Sequence, residues 1–194
     1  NTSFVLSKFD IDRFKLINKT FGYIACDRII NNIAKALDVM IVGDKERYAR
    51  ANVDEFIILC ENNERITDLQ DKFLQNFFEL MGKNFNYNIK FPTGYYIVDA
   101  GSEREDISSM VEKANIAHRR AKQLGMKLCI YDDEIVREAL AKKEIENKME
   151  RALHDREFKV YLQPKYELQN ECNVGAEALV RWQPTCGDMI YPNN

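Results

Sequence analysis

Asp10 and Asp12 stand in the stretch FDIDRFK, and Asp54 and Glu55 in RANVDEFIILC. Each pair lies where an apolar run ends or begins, which puts carboxylates at strand ends. If the two runs lie side by side, Asp10 and Asp54 converge at one end of a sheet. Two carboxylates with a backbone carbonyl suit Mg²⁺, a hard cation that takes oxygen ligands and keeps positions open for phosphates. A helix starting after Asp12 would offer those phosphates its free backbone N–H groups and its positive end. Asn18 and Asp27 complete the set, because an amide and a carboxylate match the donors and acceptors of a guanine edge. By residue type alone, acids at strand ends are most often solvated loop residues.

The elements that must position these groups follow from the hydrophobic pattern. SFVLSKFDI (3–11) is a β-branched and aromatic run ending in acids, so a buried strand is expected. DRFKLINKTFG (12–22) reads as a short helix stopped by Gly22. A second helix opens at Cys26 or Asp27, with Ile29, Ile30, Ile33, Ala34 and Leu37 on one face. ERYARA (46–51) and EFIILC (55–60) flank a short turn and form a hairpin. From Glu64 to Met81, Ile66, Leu69, Phe73, Phe77 and Leu80 recur in steps of three and four, which marks another amphipathic helix.

YNIKFPTGYYIVDA (87–100) predicts a strand interrupted at Pro92–Gly94, at an edge or bulge. Asp106 opens a helix to about Leu124, with Ile107, Met110, Val111, Ala114, Ala117 and Ala121 inward, and Gly125 ends it. KLCIYD (127–132) is a short strand. A charged helix over 133–157 is expected to link it to two further strands, 158–168 and 173–182. The order of elements predicts an α/β (α+β) sandwich with one mixed sheet through about Tyr131.

The bulk composition narrows the function classes. The 194 residues carry a net charge of −3, which gives no general attraction to DNA or RNA. Five cysteines show no CxxC pair, and with two histidines a zinc site is not expected. The thiols fit a reducing, cytoplasmic setting. No apolar run approaches the roughly 20 residues of a membrane span. The first residue is Asn rather than Met, so a longer parent is expected, whose flanking segments could hold a signal or membrane anchor.

FDIDRFKLINKTFGYIACD (9–27) resembles the signature of the GGDEF family, the diguanylate cyclase domains. The matching residues are Asp10, Asp12, Phe14, Lys15, Asn18, Gly22 and Asp27. NVDEF (52–56) falls where the name-giving motif belongs, and VEKANIAHRRAKQLGMKLCIYD (111–132) resembles the family's closing segment. The resemblance spans about residues 4–132 and implies the nucleotidyl-cyclase-like fold, with a mostly antiparallel sheet flanked by helices. It implies two GTP-bearing domains that meet face to face and make cyclic di-GMP, with Mg²⁺ or Mn²⁺. On that resemblance Asp10, the Ile11 carbonyl and Asp54 would bind metal. Phe14, Lys15 and Lys122 would hold the triphosphate, and Asn18 and Asp27 would contact guanine. Asn52 and Val53 would lie against the nucleotide, and Glu55 would act beside the reacting groups as the catalytic carboxylate.

The departures from the family pattern are specific. Asn52 and Val53 replace two glycines, Met126 replaces an Arg, Asn115 an Asp, and Cys26 a further Gly, while Tyr23 stands where His is common. A β-branched Val is expected to fit poorly in a turn built for glycine. His118, near an aromatic position of the pattern, reads as a surface or satisfied histidine. Gly43, Asp44, Lys45 and Glu46 replace the R-x-x-D of the family's product site, so none is expected here. The acids stay while the glycines go, which implies metal and GTP binding without turnover.

FKVYLQPKYELQNECNVGAEALVRW (158–182) resembles the start of an EAL domain, the cyclic di-GMP phosphodiesterase. There Glu177 would bind metal, and Gln163 and Arg181 would touch the dinucleotide. An EAL barrel needs about 200 residues or more, so residues 158–194 would be its incomplete beginning and inactive as a phosphodiesterase. The resulting organisation is a GGDEF domain at 1–132 lacking the family's leading helix, a linker helix at 133–157, and an EAL fragment at 158–194. The expected role is a degenerate regulatory GGDEF module of a GGDEF–EAL protein that binds GTP or docks. Its expected partners are GTP or cyclic di-GMP, its own EAL domain and a second copy. An active cyclase and a ligand-free dimerising spacer are the alternatives.

Overall fold

The computed structural model describes residues 3–41, 43–62, 66–82, 87–99, 105–185 and 189–190. Cys186 and the expected helix start at Glu64 lie outside them. The chain divides into two compact units, Asn1–Val136 and Arg137–Asn194.

The first unit is built on β1 (Phe4–Phe9), whose alternation gives it two different faces. β1 pairs antiparallel with β3 (Phe56–Glu61) on one side and with β4 (Thr93–Val98) on the other. β2 (Arg47–Arg50) extends the sheet beside β3, and β5 (Leu128–Ile130) lies parallel to β4. The order is β2-β3-β1-β4-β5, a mixed and mostly antiparallel sheet. α1 (Phe14–Met40) and α2 (Ile66–Met81) cover the face of Val5 and Phe9, and α3 (Ile107–Leu124) covers the face of Leu6.

The first face is a dense apolar core. Phe9 stacks on Phe56 at 5.4 Å, and Phe73, Phe77 and Phe91 interlock with edge contacts near 5 Å. Ile29, Ile30, Ile33 and Leu37 of α1 are buried against it as their spacing predicts. The two helices expected on either side of Gly22 are consecutive segments of α1, because Gly22 (φ 80°, ψ 170°) leaves the helical conformation. On α2, Leu69, Phe73 and Phe77 are buried, whereas Leu80 faces out and Met81 takes the inward place.

α3 begins at Asp106, whose carboxylate accepts the Ser108 N–H, and ends at Gly125 in the left-handed conformation. Ala114, Ala117 and Ala121 are fully buried, but Ile107 is exposed. The small residues let α3 lie flat on the sheet, and Gly94 completes the fit. A Cβ on Gly94 would stand 2.1 Å from the His118 N and 2.2 Å from the Ala114 O. This corrects the reading of an interrupted edge strand at 87–100. β4 starts after Pro92 and sits inside the sheet, and its glycine marks the approach of a helix rather than an edge.

α4 (Asp133–His154) carries acids in its first turn and Arg151 and His154 in its last, as the helix dipole favours. In the second unit β6 (Phe158–Glu167) and β7 (Cys172–Trp182) form a two-stranded antiparallel sheet. Trp182 is its best-buried side chain, packed on Phe158 and donating its indole N–H to Glu157 at 2.9 Å. Val160, Tyr161, Leu162, Val174 and Val180 of this hairpin are exposed, and no closed barrel exists among the described residues.

Candidate functional site

Asp10 follows β1 on the α3 side and is nearly buried. Lys122, one turn from the end of α3, donates from its ammonium to Asp10 Oδ2 at 2.6 Å. His118, one turn earlier on the same row, places Nε2 at 3.2 Å from Oδ1. That contact has ion-pair distance without hydrogen-bond alignment, so Asp10 Oδ1 and both ring nitrogens are buried without an aligned partner among the described residues. Burial pushes the Asp10 carboxyl up, but the adjacent His118 and Lys122 outweigh it and hold its pKa below 3.8. Asp54 behaves in the opposite way. Burial and then the Asp10 charge raise its pKa, and Lys122 offsets only part of this.

A cavity of about 480 Å³ opens beside this pair. The β1–α1 turn contributes Ile11, Phe14, Lys15 and Asn18, the β2–β3 hairpin contributes Asn52, Val53 and Asp54, and α3 contributes Lys122. The structure thus brings together eight of the residues singled out in the sequence. Asn18 Oδ1 is buried there without a hydrogen-bond partner among the described residues. Asp27 is exposed on α1 beyond the Gly22 break and does not line the cavity. Glu55 turns to Lys8, 3.1 Å away, and Lys8 also donates to Asn115 Oδ1 at 3.0 Å.

Two residues here have no place in the sequence analysis, Arg13 and Lys8, and a third, His118, is given no part in the site there. Arg13 lines the cavity and holds a left-handed backbone (φ 55°) at the helix start, a strained state for a non-glycine residue. Lys8 hides in an apolar run, and only its alternation with Leu6 and Asp10 marks it as facing α3. His118 is buried rather than at the surface, and its place four residues before Lys122 is the signal that could have found it.

The hairpin tip corrects the expectation of strain at Val53. Neither Asn52 nor Val53 has a positive φ; among the described residues the non-glycine ones that do are Arg13, Arg156 and Glu171. Side chains close the turn instead. Arg50 Nε donates to the carbonyls of Asn52 at 3.1 Å and Val53 at 3.0 Å, and Asn52 Oδ1 accepts the Val53 N–H at 2.9 Å. Val53 is 57% exposed at the cavity rim.

The family model for the diguanylate cyclase GGDEF domain matches residues 1–128. The chain belongs to the GGDEF family. The active GGEEF domain of a diguanylate cyclase from Vibrio cholerae superposes with a TM-score of 0.56 at 29% identity, covering 67% of this chain and 83% of that one. The signaling protein YkoW of Bacillus subtilis is 26% identical over 187 residues, 94% of this chain and 23% of its own length. The bifunctional diguanylate cyclase/cyclic di-GMP phosphodiesterase MucR of Pseudomonas aeruginosa is 23% identical over 97% of this chain and 28% of its own length. The chain therefore spans about a quarter of these two relatives, and both alignments continue past the GGDEF domain.

GGDEF domains generally use Mg²⁺ with GTP. Among the described residues no group of three or more His, Cys, Asp and Glu side chains is arranged to hold a metal. The residues present nevertheless fit Mg²⁺ as nucleotides bring it, since such sites need one or two carboxylates with phosphate oxygens completing the shell. Asp10 and Asp54 repel each other, and Asp10 Oδ1 lacks an aligned partner among the described residues. Among the described residues no helix is long and apolar enough to cross a membrane.

Proposed function

We propose that this is a regulatory GGDEF domain that binds GTP with Mg²⁺ and does not turn it over. Its setting would be a GGDEF–EAL protein of cyclic di-GMP signalling. The observation that carries this is the cavity itself: Asp54, Lys15, Lys122 and the Asn18 amide line it with Asp10 beside Lys122, while the groups around the chemistry are altered. Asp10, Asp54 and the Ile11 carbonyl would hold the metal, which supplies charge neutralisation for the phosphates. The backbone at Phe14 and Lys15 would take phosphate oxygens, as helix starts do, with the Phe14 N–H released from its 3.2 Å bond to the Ile11 carbonyl. Lys122 would exchange Asp10 for the phosphate chain. Asn18 would satisfy its buried oxygen on a guanine N–H, with Asp27 approaching from the next turns of α1.

Turnover would need a carboxylate free to act, and Glu55 is paired with Lys8. Met126 supplies no cation where the family has Arg, and the Val53 side chain occupies the rim. The unstrained hairpin favours a second reading, an active cyclase that tolerates its altered turn. The double change Asn52→Gly with Val53→Gly separates the two: cyclase activity gained on this change marks the turn as the lesion, and activity already present in the wild type overturns the regulatory reading.

The proposed boundaries are 1–132 for the GGDEF domain, 133–157 for the linker and 158–194 for the beginning of an EAL domain. In the β6–β7 sheet Gln163 stands directly across from Glu177, and Lys159 from Arg181. On this reading the proposed metal residue Glu177 and the dinucleotide residue Gln163 share one rung, and Arg181 lies four residues further along the same strand. Calorimetry of GTP with Mg²⁺ tests the main reading, using the wild type, Asn18→Ala and Asp27→Ala. Binding that is lost in the variants supports it. A folded wild-type chain that binds no GTP leaves a dimerising spacer as the account.

A further inference from the structure

We propose that the nucleotide site has a second compartment that takes what a ligand carries beyond its third phosphate, and that its chemistry fits a dinucleoside polyphosphate. The inference rests on the nucleotide-binding reading above. A cavity of about 600 Å³ lies behind Arg13 and Lys122, the two residues it shares with the nucleotide cavity. Those two cationic residues border both spaces, with the Lys122 ammonium 2.6 Å from Asp10 Oδ2. A phosphate chain that took Lys122 from Asp10 and ran past Arg13 would have one end in each cavity.

The lining of the second cavity is of two kinds. Arg13, Lys90, Lys122 and Lys127 face a single acid, Asp12. Leu74, Phe78, Pro92 and Met126 give it an apolar wall, with Phe78 38% and Met126 44% exposed. Cations for phosphate and an aromatic surface for a base are the complementary halves of a nucleotide subsite. The volume is ample for one nucleoside, since ligand sites range from about 300 to 1,000 Å³.

The compartment is also preformed. The Gln70 amide donates to the Phe91 carbonyl at 3.1 Å, the Thr93 hydroxyl at 3.2 Å and the Lys127 carbonyl at 3.0 Å. The Asp12 N–H donates to the Lys90 carbonyl at 2.9 Å. These bonds pin the 87–92 segment, the start of β5 and the β1–α1 turn around one space. Two of its residues are this chain's own departures or their neighbours. Met126, where the family pattern has Arg, contributes apolar surface, and Lys127 contributes a cation one position later.

The test is calorimetry with Mg²⁺ on the full 194-residue chain, comparing GTP with P1,P4-di(guanosine-5′) tetraphosphate. The dinucleotide is expected to bind about tenfold or more tightly than GTP, which corresponds to 1.4 kcal/mol. Phe78→Ser and Lys127→Gln, both at exposed positions, are expected to abolish that gain while leaving GTP affinity unchanged. GTP binding with no gain for the dinucleotide overturns this inference alone, as does a gain that both variants keep. Failure of both nucleotides to bind overturns the nucleotide-binding reading itself.

Discussion

The two faces of the five-stranded sheet do different work, and β1 carries both. Toward α1 and α2 it presents Val5 and Phe9 to a core of interlocked phenylalanines. Toward α3 it presents Leu6, Lys8 and Asp10, and the last two meet Asn115, His118, Lys122 and Glu55. The first face buries mostly apolar area, with Ser7 and Asn32 as neutral polar side chains within it. The second buries charges that must be paired, and such pairs add little net stability. The difference separates what holds the domain together from what the domain can do. The apolar face can stabilise a fold whose other face keeps its charges for a ligand.

The largest expected effect breaks the apolar face. Phe77 is fully buried and contacts Phe73, Phe78 and Phe91. Phe77→Ala is expected to cost about 3–5 kcal/mol in urea denaturation, from lost transfer energy and the cavity left behind. The GTP affinity of the folded fraction should stay unchanged. Affinity that falls together with stability would show that the two faces are not separable.

Gly94→Ala attacks the other face. Its new Cβ would meet backbone atoms of α3 at 2.1 and 2.2 Å, and a helix backbone cannot rotate away as a side chain can. A loss of about 1–3 kcal/mol is expected. Because α3 must shift, the Asp10 contacts of His118 and Lys122 move too. Here GTP affinity should fall along with stability, in contrast to Phe77→Ala.

The same contrast decides what can be read from the sequence. The steps Leu69, Phe73, Phe77 predict a buried helical face directly, because apolar burial depends on residue type and spacing alone. The Asp106 and Gly125 boundaries of α3 were equally legible, since each residue does one local job. Residues on the polar face were legible only where a family pattern named them. Lys8 reads as an interruption in an apolar strand, and His118 as a surface or satisfied histidine, until the register of β1 against α3 puts each beside its partner. Pro92–Gly94 misled for the same reason: the need for glycine comes from a helix distant in sequence. Val53 misled in the other direction, because the glycine requirement of a family turn was carried over to a turn closed by Arg50 and Asn52.

Two carboxylates on the polar face should respond to pH with opposite signs. The folded pKa of Asp10 lies below 3.8, so its stabilisation is complete above that value and is lost as pH falls through the lowered pKa. The folded pKa of Asp54 lies above 3.8, so its ionisation opposes folding at neutral pH. That penalty is relieved as pH falls from the raised pKa toward 3.8. At pH 7, Asp10→Asn is expected to destabilise by about 1 kcal/mol, a typical single-substitution effect. Asp54→Asn should stabilise slightly. Both differences should shrink below the ordinary carboxylate range. Melting curves at pH 7 and pH 3 check this, and an Asp54→Asn variant less stable than wild type at pH 7 would contradict it. Mg²⁺ with GTP should reverse the Asp54 result by making its charge useful.

The smallest expected effect concerns the hairpin tip, and its sign matters more than its size. Had Val53 been held in the left-handed region, glycine there would relieve strain and Val53→Gly would stabilise the domain. The backbone at Val53 is not left-handed. Glycine then only adds freedom to the unfolded chain, and Val53→Gly should cost about 0.4–1 kcal/mol. Lost packing adds little, because the side chain is 57% exposed. A urea titration of the single variant therefore tests the turn separately from any activity. Stabilisation would mean that the turn keeps a glycine-type backbone and is strained by Val53, which would return the lesion to the backbone. Destabilisation would leave the rim position of the Val53 side chain, and the pairing of Glu55 with Lys8, as the differences that matter for turnover.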